Sequence, residues 1–89
     1  MTCVISGRVQ RVMFRDFIQR NARAIGLVGQ VWNGTDGTVM VVAEGEDADI
    51  TELLTRIKKG PPLARMDDMA VAYAEATGEF GGFHIAIKK

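Results

Sequence analysis

The spacing of apolar residues in this 89-residue chain constrains its fold more than any other feature, because it changes repeatedly between a strand-like and a helix-like period. A β-prone opening segment covers roughly residues 2–9 and contains Val4, Ile5 and Val9. Helical spacing follows, with apolar residues at Phe14, Phe17, Ile18, Ala22 and Ile25. This spacing places them on one face of a helix, and Gly26 is typical of the position just after a helix ends.

A β-hairpin is predicted next. Residues 28–33 and 38–44 are both β-prone, and the Asp36-Gly37 pair between them is a common hairpin turn. The short connection requires these two strands to run antiparallel, which predicts an antiparallel sheet at the centre of the fold.

A second helix is predicted over residues 47–59, with acids near its start and lysines near its end, as the helix dipole favours. Its apolar face contains Ile50, Leu53, Leu54 and Ile57. The Gly-Pro-Pro sequence at residues 60–62 ends it. Residues 66–74 are predicted as a fourth strand, with one face formed by Met69, Val71 and Tyr73. Residues 83–87 are predicted as a short fifth strand.

The resulting order is β-α-β-β-α-β, with a possible terminal strand. Each helix is apolar along a single stripe, so both helices are expected to cover one face of the antiparallel sheet. This α+β arrangement is the ferredoxin-like split β-α-β fold. No linker or repeat interrupts the chain, and 47% of its residues are hydrophobic, which predicts a single domain over residues 1–89.

Charge excludes some partners. Basic and acidic residues are equal at 11 each, so the composition does not favour nucleic acid or a membrane surface. Residues 8–23, however, contain five arginines and one acid, Asp16, which favours a local anion site. The single cysteine, Cys3, cannot form an internal disulfide and is expected in the core. A cytoplasmic location is expected, and no Cys/His cluster indicates a metal.

The arginine-rich stretch GRVQRVMFRDF, residues 7–17, joins the first strand to the first helix. A helix that begins near Phe14 has N–H groups without intrahelical partners, and residues 9–13 can add further N–H groups that converge on one point. This is a favourable site for phosphate or carboxylate. Arg15, in the first helical turn, is placed to fold over it, although an arginine there is often only a solvated surface residue.

The same stretch resembles the signature of the acylphosphatase family, and WNGTDGTV at residues 32–39 resembles that family's second motif. Three shorter sequences also lie where the family has them: AEG after the third strand, GPP after the second helix, and Gly82-Phe83. The resemblance covers essentially the whole chain and involves two motifs in the correct order.

The resemblance implies hydrolysis of acyl phosphates to a carboxylate and inorganic phosphate, with no metal or cofactor. It assigns the catalytic roles to Arg15 and Asn33. The backbone loop that binds the substrate phosphate corresponds to Gln10, Arg11, Val12, Met13 and Phe14. The expected partners are a small-molecule acyl phosphate and inorganic phosphate as product and inhibitor, with no nucleic acid, no membrane, and a monomeric protein.

The residue chemistry is compatible with this assignment. A carboxylate is a good leaving group, so phosphoryl transfer depends mainly on positioning and on stabilising charge over the phosphoryl oxygens. Arg15 and the loop amides are suited to the charge, and the Asn33 amide is suited to holding an attacking water. The phosphate itself is our hypothesis for the proton acceptor. A purely structural interpretation of Asn33, as a hairpin-turn residue, is the alternative.

Arg11 departs from the family pattern, which has glycine at this position. If the backbone accepts a negative φ, Arg11 points outward and adds positive field; if it requires a positive φ, an arginine is strained by roughly 1–3 kcal/mol and turnover falls. We favour the first outcome and an active enzyme. Gly34 is a smaller departure, since a hydroxyl residue is common there in the family, and we expect looser support of Asn33.

Three rival functions remain. The first is an impaired acylphosphatase-like module that binds an anion or a partner, suggested by Arg11. The second is an RNA-binding domain of the same layout, which the absence of aromatic residues from the third strand disfavours. The third is a regulatory domain that binds a metabolite at a dimer interface.

Overall fold

The computed structural model describes residues 1–87 of the chain. Its elements in order are β1 (Thr2–Arg8), α1 (Phe14–Ile25), β2 (Val28–Asn33), β3 (Val39–Glu44), α2 (Asp47–Lys59), β4 (Arg65–Ala72) and β5 (Phe83–Ile85). The predicted α+β order is therefore confirmed. Among the described residues, no helix is both long and apolar enough to cross a membrane.

The five strands form one sheet in the order β4-β1-β3-β2-β5. The pairs β1–β3, β1–β4 and β2–β3 are antiparallel, as predicted. The added pair β2–β5 is parallel, with Val31 opposite Ile85, so the complete sheet is mixed. Strands β1, β2 and β5 consequently all end at one edge of the layer, where α1 begins. We call this the arginine edge, because it contains the loop of residues 9–13 and Arg15.

The opposite end of the sheet is called the Glu44 edge, because β3 ends there at Glu44. Glu44 pairs with Val28 at the start of β2, whereas Asn33 at the end of β2 pairs with Val39. The two ends of the hairpin therefore lie at opposite edges of the sheet, and each edge has its own set of polar contacts.

The core lies between the sheet and the two helices. Buried strand residues alternate, as a sheet covered on one face requires. The buried apolar side chains of the strands are Cys3, Ile5, Val31, Val39, Val41, Ala43 and Phe83. The buried helix residues recur at three- and four-residue spacing: Phe14, Ile18 and Ala22 on α1, and Ile50, Leu53 and Ile57 on α2. Cys3 is a core residue, as expected, and burial raises the pKa of its thiol to about 11.

The fourth strand contains a β-bulge near its start, and the predicted alternation is confirmed for Met69 and Val71 beyond the bulge. Ser6 pairs with Asp68 and the next residue, Gly7, pairs with Met66, so Asp67 is left without a partner in the register. The strand ends at Ala72, and Tyr73 is 65% exposed rather than packed beside Val71.

The fifth strand is shorter than predicted. Its last paired residue is Ile85, and the Ala86 N–H donates to the Val31 carbonyl at 2.9 Å. Ile87, which was expected inside the strand, is 86% exposed beyond it. The ladder therefore ends close to the level at which β2 reaches Asn33.

Candidate active site

The loop between β1 and α1 contains two non-glycine residues with left-handed backbones. Arg11 has φ 61° and Met13 has φ 63°. The expectation that Arg11 adopts a negative φ is therefore wrong. The chain turns from a strand into a helix within residues 9–13, and left-handed residues allow that reversal while directing successive N–H groups to one side. Both residues carry the strain that a Cβ brings to this region.

The helix begins directly after this loop. Met13 is its N-cap residue and has no side-chain capping bond, and the first intrahelical contact is from the Phe17 N–H to the Met13 carbonyl at 3.0 Å. The amides of the first turn, including those of Phe14 and Arg15, therefore have no partner within the helix. Phe14 itself is buried and Val12 is half-buried against the core, so these side chains anchor the loop.

Arg15 is half-buried in the first turn and lines a cleft of about 220 Å³. The cleft is formed by Arg11, Met13, Phe14, Arg15, Asp16 and Ile85. Asp16 pairs with Arg20 at 2.9 Å. Within residues 1–87, neither the Arg11 guanidinium nor the Arg15 guanidinium forms a hydrogen bond or an ion pair. The cleft therefore contains two guanidinium groups that have no partner among the described residues.

Asn33 ends β2 on the helix-covered face, because it is two residues beyond the buried Val31. Its side-chain oxygen Oδ1 is buried and has no hydrogen-bond partner among the described residues. Buried acceptors are paired in most proteins, so an unpaired Oδ1 at Asn33 is unusual. Asn33 also lines a cleft of about 320 Å³ over the hairpin turn, together with Trp32, Gly34, Thr35, Asp36, Thr38 and Met40.

The side chain of Gln10 connects the loop to this hairpin turn. Its Nε2 donates to the Gly34 carbonyl at 2.9 Å and to the Thr38 carbonyl at 2.8 Å. These contacts place the β1–α1 loop against the residue that follows Asn33. The sequence predicts only a backbone role for Gln10 in the phosphate loop. No local pattern indicates this side-chain role, because the partners lie 24 and 28 residues away.

Gly34 does not leave the turn unsupported. The Gly34 N–H donates to the Thr38 carbonyl at 2.8 Å, and the Thr38 hydroxyl donates to Asp36 Oδ1 at 2.6 Å. A Cβ on Gly34 would lie 2.4 Å from the Thr38 hydroxyl oxygen, so that hydroxyl occupies the space next to residue 34. The Thr38 hydroxyl and amide lower the pKa of Asp36, which keeps this acceptor charged.

The topology brings both predicted catalytic residues to the arginine edge. Ile85, beside Arg15 in the cleft, pairs with Val31, which is two residues before Asn33. Unpaired helix amides and two guanidiniums favour an anion at this edge, and the orphaned Asn33 oxygen favours a hydrogen-bond donor such as water. His84, by contrast, is exposed and pairs with Gln30. The arrangement is suited to transfer of an anionic group to water.

Comparison with known proteins agrees with this description. The sequence profile of the Acylphosphatase family matches residues 1–85. The acylphosphatase of Deinococcus radiodurans is 44% identical over 85 residues, which cover 96% of this chain and 97% of that protein. The acylphosphatase of Pelotomaculum thermopropionicum is 42% identical over 83 residues, with coverage of 93% and 90%.

Solved structures agree as well. The crystal structure of acylphosphatase from Bacillus subtilis superposes with a TM-score of 0.92 at 32% identity, covering 96% of this chain and 94% of that one. Full-length HypF in its phosphate- and nucleotide-bound form matches with a TM-score of 0.85 at 33% identity, over 96% of this chain but 11% of the HypF chain. With the same fold, both motifs in place and near-complete coverage by its relatives, this chain belongs to the acylphosphatase family.

Proposed function

We propose that this acylphosphatase cleaves the carboxyl–phosphate anhydride of acyl phosphates by direct attack of water on phosphorus. Arg15 and the backbone amides of residues 10–14 hold the phosphoryl group, and Asn33 holds the water. The observation that carries this proposal is the buried Asn33 Oδ1, which has no partner among the described residues and lies at the same edge as the unpaired Arg15 guanidinium.

The chemical step needs little from the protein beyond placement and charge. The water oxygen forms a bond to phosphorus as the bond from phosphorus to the carboxyl oxygen breaks, and that electron pair leaves with the carboxylate. The water proton goes to a phosphoryl oxygen. Arg15 and the loop amides stabilise the charge on the phosphoryl oxygens, while Asn33 accepts a hydrogen bond from the water and so orients its lone pair.

The alternative function, a catalytically impaired acylphosphatase-like module, assumed that residue 11 requires a positive φ. Arg11 does have a positive φ of 61°. Activity is still the better-supported proposal. Met13 adopts the same backbone conformation two residues later, and α1 nevertheless begins at Phe14. Gln10 also keeps its contacts to Gly34 and Thr38, so the strained loop remains in register with the Asn33 turn.

Hydrolysis in water labelled with a heavy oxygen isotope tests this mechanism. Attack on phosphorus places the label in inorganic phosphate, whereas attack on the carbonyl carbon places it in the carboxylate and would overturn the proposal. Turnover is expected to persist in the presence of a chelator and to be much lower with phosphate monoesters. Inorganic phosphate is expected to inhibit competitively, because it occupies the Arg15 site.

The proposal also covers the oligomeric state of the protein, the size of its substrates and its location in the cell. The active unit is a single-domain monomer that acts on small-molecule acyl phosphates. Two results would support this: a specific activity that does not change with protein concentration, and a monomeric mass in solution. A cytoplasmic location is also part of this proposal. Fractionation of the source cells tests the location.

A further inference from the structure

We propose that Arg11 determines substrate specificity, selecting acyl phosphates whose acyl group carries a second anionic group. This inference depends on the proposed function and adds to it the class of acyl group. It concerns the side chain of Arg11, whereas the phosphate loop uses the backbone of that residue.

The charge distribution in the cleft supports this role. Arg11 and Arg15 line the same cleft of about 220 Å³, and neither has a hydrogen-bond or ion-pair partner within residues 1–87. The one acid in the cleft, Asp16, is paired with Arg20 at 2.9 Å. Once a phosphoryl group occupies Arg15, an unpaired guanidinium remains beside the substrate, and it favours a second anion.

The remaining walls of the cleft fit the part of the substrate between its two anions. Met13 is 69% exposed and Ile85 is 36% exposed, and both line the cleft beside the arginines. Apolar side chains at this position suit a short hydrocarbon segment rather than further polar groups. An acyl chain that lies against Met13 and Ile85 brings its far end toward Arg11, which is itself exposed and accessible.

The left-handed backbone of Arg11 is consistent with a functional role. At φ 61° an arginine is strained where glycine is not, and strained residues that persist in a structure are concentrated at ligand sites. The strain does not indicate which ligand binds. The ligand class is indicated by the exposed Arg11 guanidinium and its apolar neighbours, because together they match a short carbon chain with an anion at each end.

The test compares matched substrates that differ only in the far end of the acyl group. Butyryl phosphate has an apolar end, succinyl phosphate has a carboxylate there, and a third acyl phosphate with a terminal phosphate monoester distinguishes the two kinds of anion. The hydrolysis of each substrate is measured with the parent protein and with three variants: Arg11→Gln, Arg11→Lys and Lys58→Gln. Arg11→Gln keeps the backbone strain, and Lys58→Gln removes one positive charge from the end of α2, outside the cleft.

We expect Arg11→Gln to lower the ratio of kcat/KM for a doubly anionic substrate to that for butyryl phosphate by about tenfold. Arg11→Lys should retain most of the ratio, and Lys58→Gln should retain all of it. The doubly anionic substrate that shows the larger loss identifies the preferred anion. An unchanged ratio in Arg11→Gln, or an equal loss in Lys58→Gln, would overturn the proposal.

Failure of this inference is distinguishable from failure of the proposed function. If the parent protein hydrolyses butyryl phosphate but Arg11→Gln leaves the ratio unchanged, only the role of Arg11 is refuted. If the folded parent protein hydrolyses none of the substrates, the proposed function is refuted and the inference with it.

Discussion

The two edges of the sheet differ in whether their buried polar groups have hydrogen-bond partners. At the Glu44 edge, the buried Glu44 carboxylate accepts hydrogen bonds from the Thr77 N–H at 2.8 Å, the Thr77 hydroxyl at 2.9 Å and the Gly78 N–H at 3.1 Å. At the arginine edge, the buried Asn33 Oδ1 accepts none from the described residues. The two left-handed non-glycine residues, Arg11 and Met13, also lie at the arginine edge.

On the proposed mechanism, this contrast separates residues that stabilise the fold from residues that bind the substrate. A satisfied buried carboxylate fastens the segment around Thr77 to the end of β3 and so contributes stability. An orphaned acceptor and strained backbones lower stability, and they persist where function requires them. Substitutions of Arg15 and Asn33 at the arginine edge should therefore change activity more than stability, and those at the Glu44 edge should do the reverse.

The largest effect is expected from Arg15→Ala. On the proposed mechanism, the substitution removes the charge that stabilises the phosphoryl oxygens in the bound substrate and in the transition state, so kcat should fall and KM should rise. We expect kcat/KM to decrease by about 10³-fold or more. Steady-state kinetics with a simple acyl phosphate measure this. Lys58→Ala, which truncates an exposed cation on α2, is the matched control and should retain parental kcat/KM.

Gln10→Glu should have the next largest effect on activity. Glutamate has the shape of glutamine but cannot donate to the Gly34 and Thr38 carbonyls, so the loop and the turn lose their connection. We expect kcat to fall by roughly tenfold, as is typical when a residue that orients a catalytic group is lost. Gln19→Glu provides the same chemical change on the far part of α1, where the amide donates to the Phe83 carbonyl. Equal losses of kcat in the two variants would refute the positioning role of Gln10.

At the other edge, Glu44→Gln should reduce stability without changing kcat. A glutamine amide presents N–H groups where Thr77 and Gly78 require an acceptor, so at least one bond is lost, and we expect Tm to fall by on the order of 10 °C at neutral pH. Thermal unfolding followed by circular dichroism measures this. A lowered kcat at a temperature where the variant is fully folded would contradict the separation of the two edges.

The same residue makes stability depend on pH. The Thr77 N–H is the main cause that lowers the pKa of Glu44 below its ordinary value of 4.5, with smaller contributions from the Thr77 hydroxyl and the Gly78 N–H. The carboxylate therefore stabilises the fold above pH 4.5, and this contribution is lost as the pH falls through the lowered folded-state pKa. The Tm difference between the parent protein and Glu44→Gln should shrink over that acidic range.

The smallest effect is expected from Arg11→Gly. Glycine adopts φ near 60° without the penalty of a Cβ, so this change should stabilise the fold by about 1 kcal/mol, or roughly 5 °C in Tm. Arg11→Ala removes the same side chain but keeps the Cβ and is the matched control, with little gain. Equal Tm values for the two variants would show that backbone strain at residue 11 does not affect stability.

The sequence predicted the parts of the fold that depend on local periodicity. The apolar stripe from Phe14 to Ile25 and the Asp36-Gly37 turn are local signals, and the structure confirms the helix and the hairpin they predict. The parallel pairing of β5 with β2 was not predicted, because it depends on tertiary packing rather than on residues near Phe83. Tyr73 was misplaced because β4 ends at Ala72, where its partner strand β1 begins at Thr2, and local periodicity does not indicate that end.

The sequence predicted the candidate site residues, but it did not predict the contacts and backbone conformation around them. The two motifs named Arg15 and Asn33, which the structure places at one edge, and their catalytic roles stay predictions. The sign of φ at Arg11 was predicted wrongly, because a cation preference and a backbone requirement cannot be separated from residue type alone. The contacts of Gln10 and Glu44 span more than 20 residues, and no local pattern indicates them.

The most direct test of the account is to measure kcat and Tm together for Asn33→Ala. The orphaned Oδ1 contributes no protein hydrogen bond among the described residues, so its removal should leave Tm within a few degrees of the parental value. Loss of the water-positioning amide should lower kcat by about 10²-fold or more, with a smaller change in KM. A near-parental kcat, or a fall in Tm large enough to account for the lost activity, would contradict the claim that the arginine edge is built for catalysis.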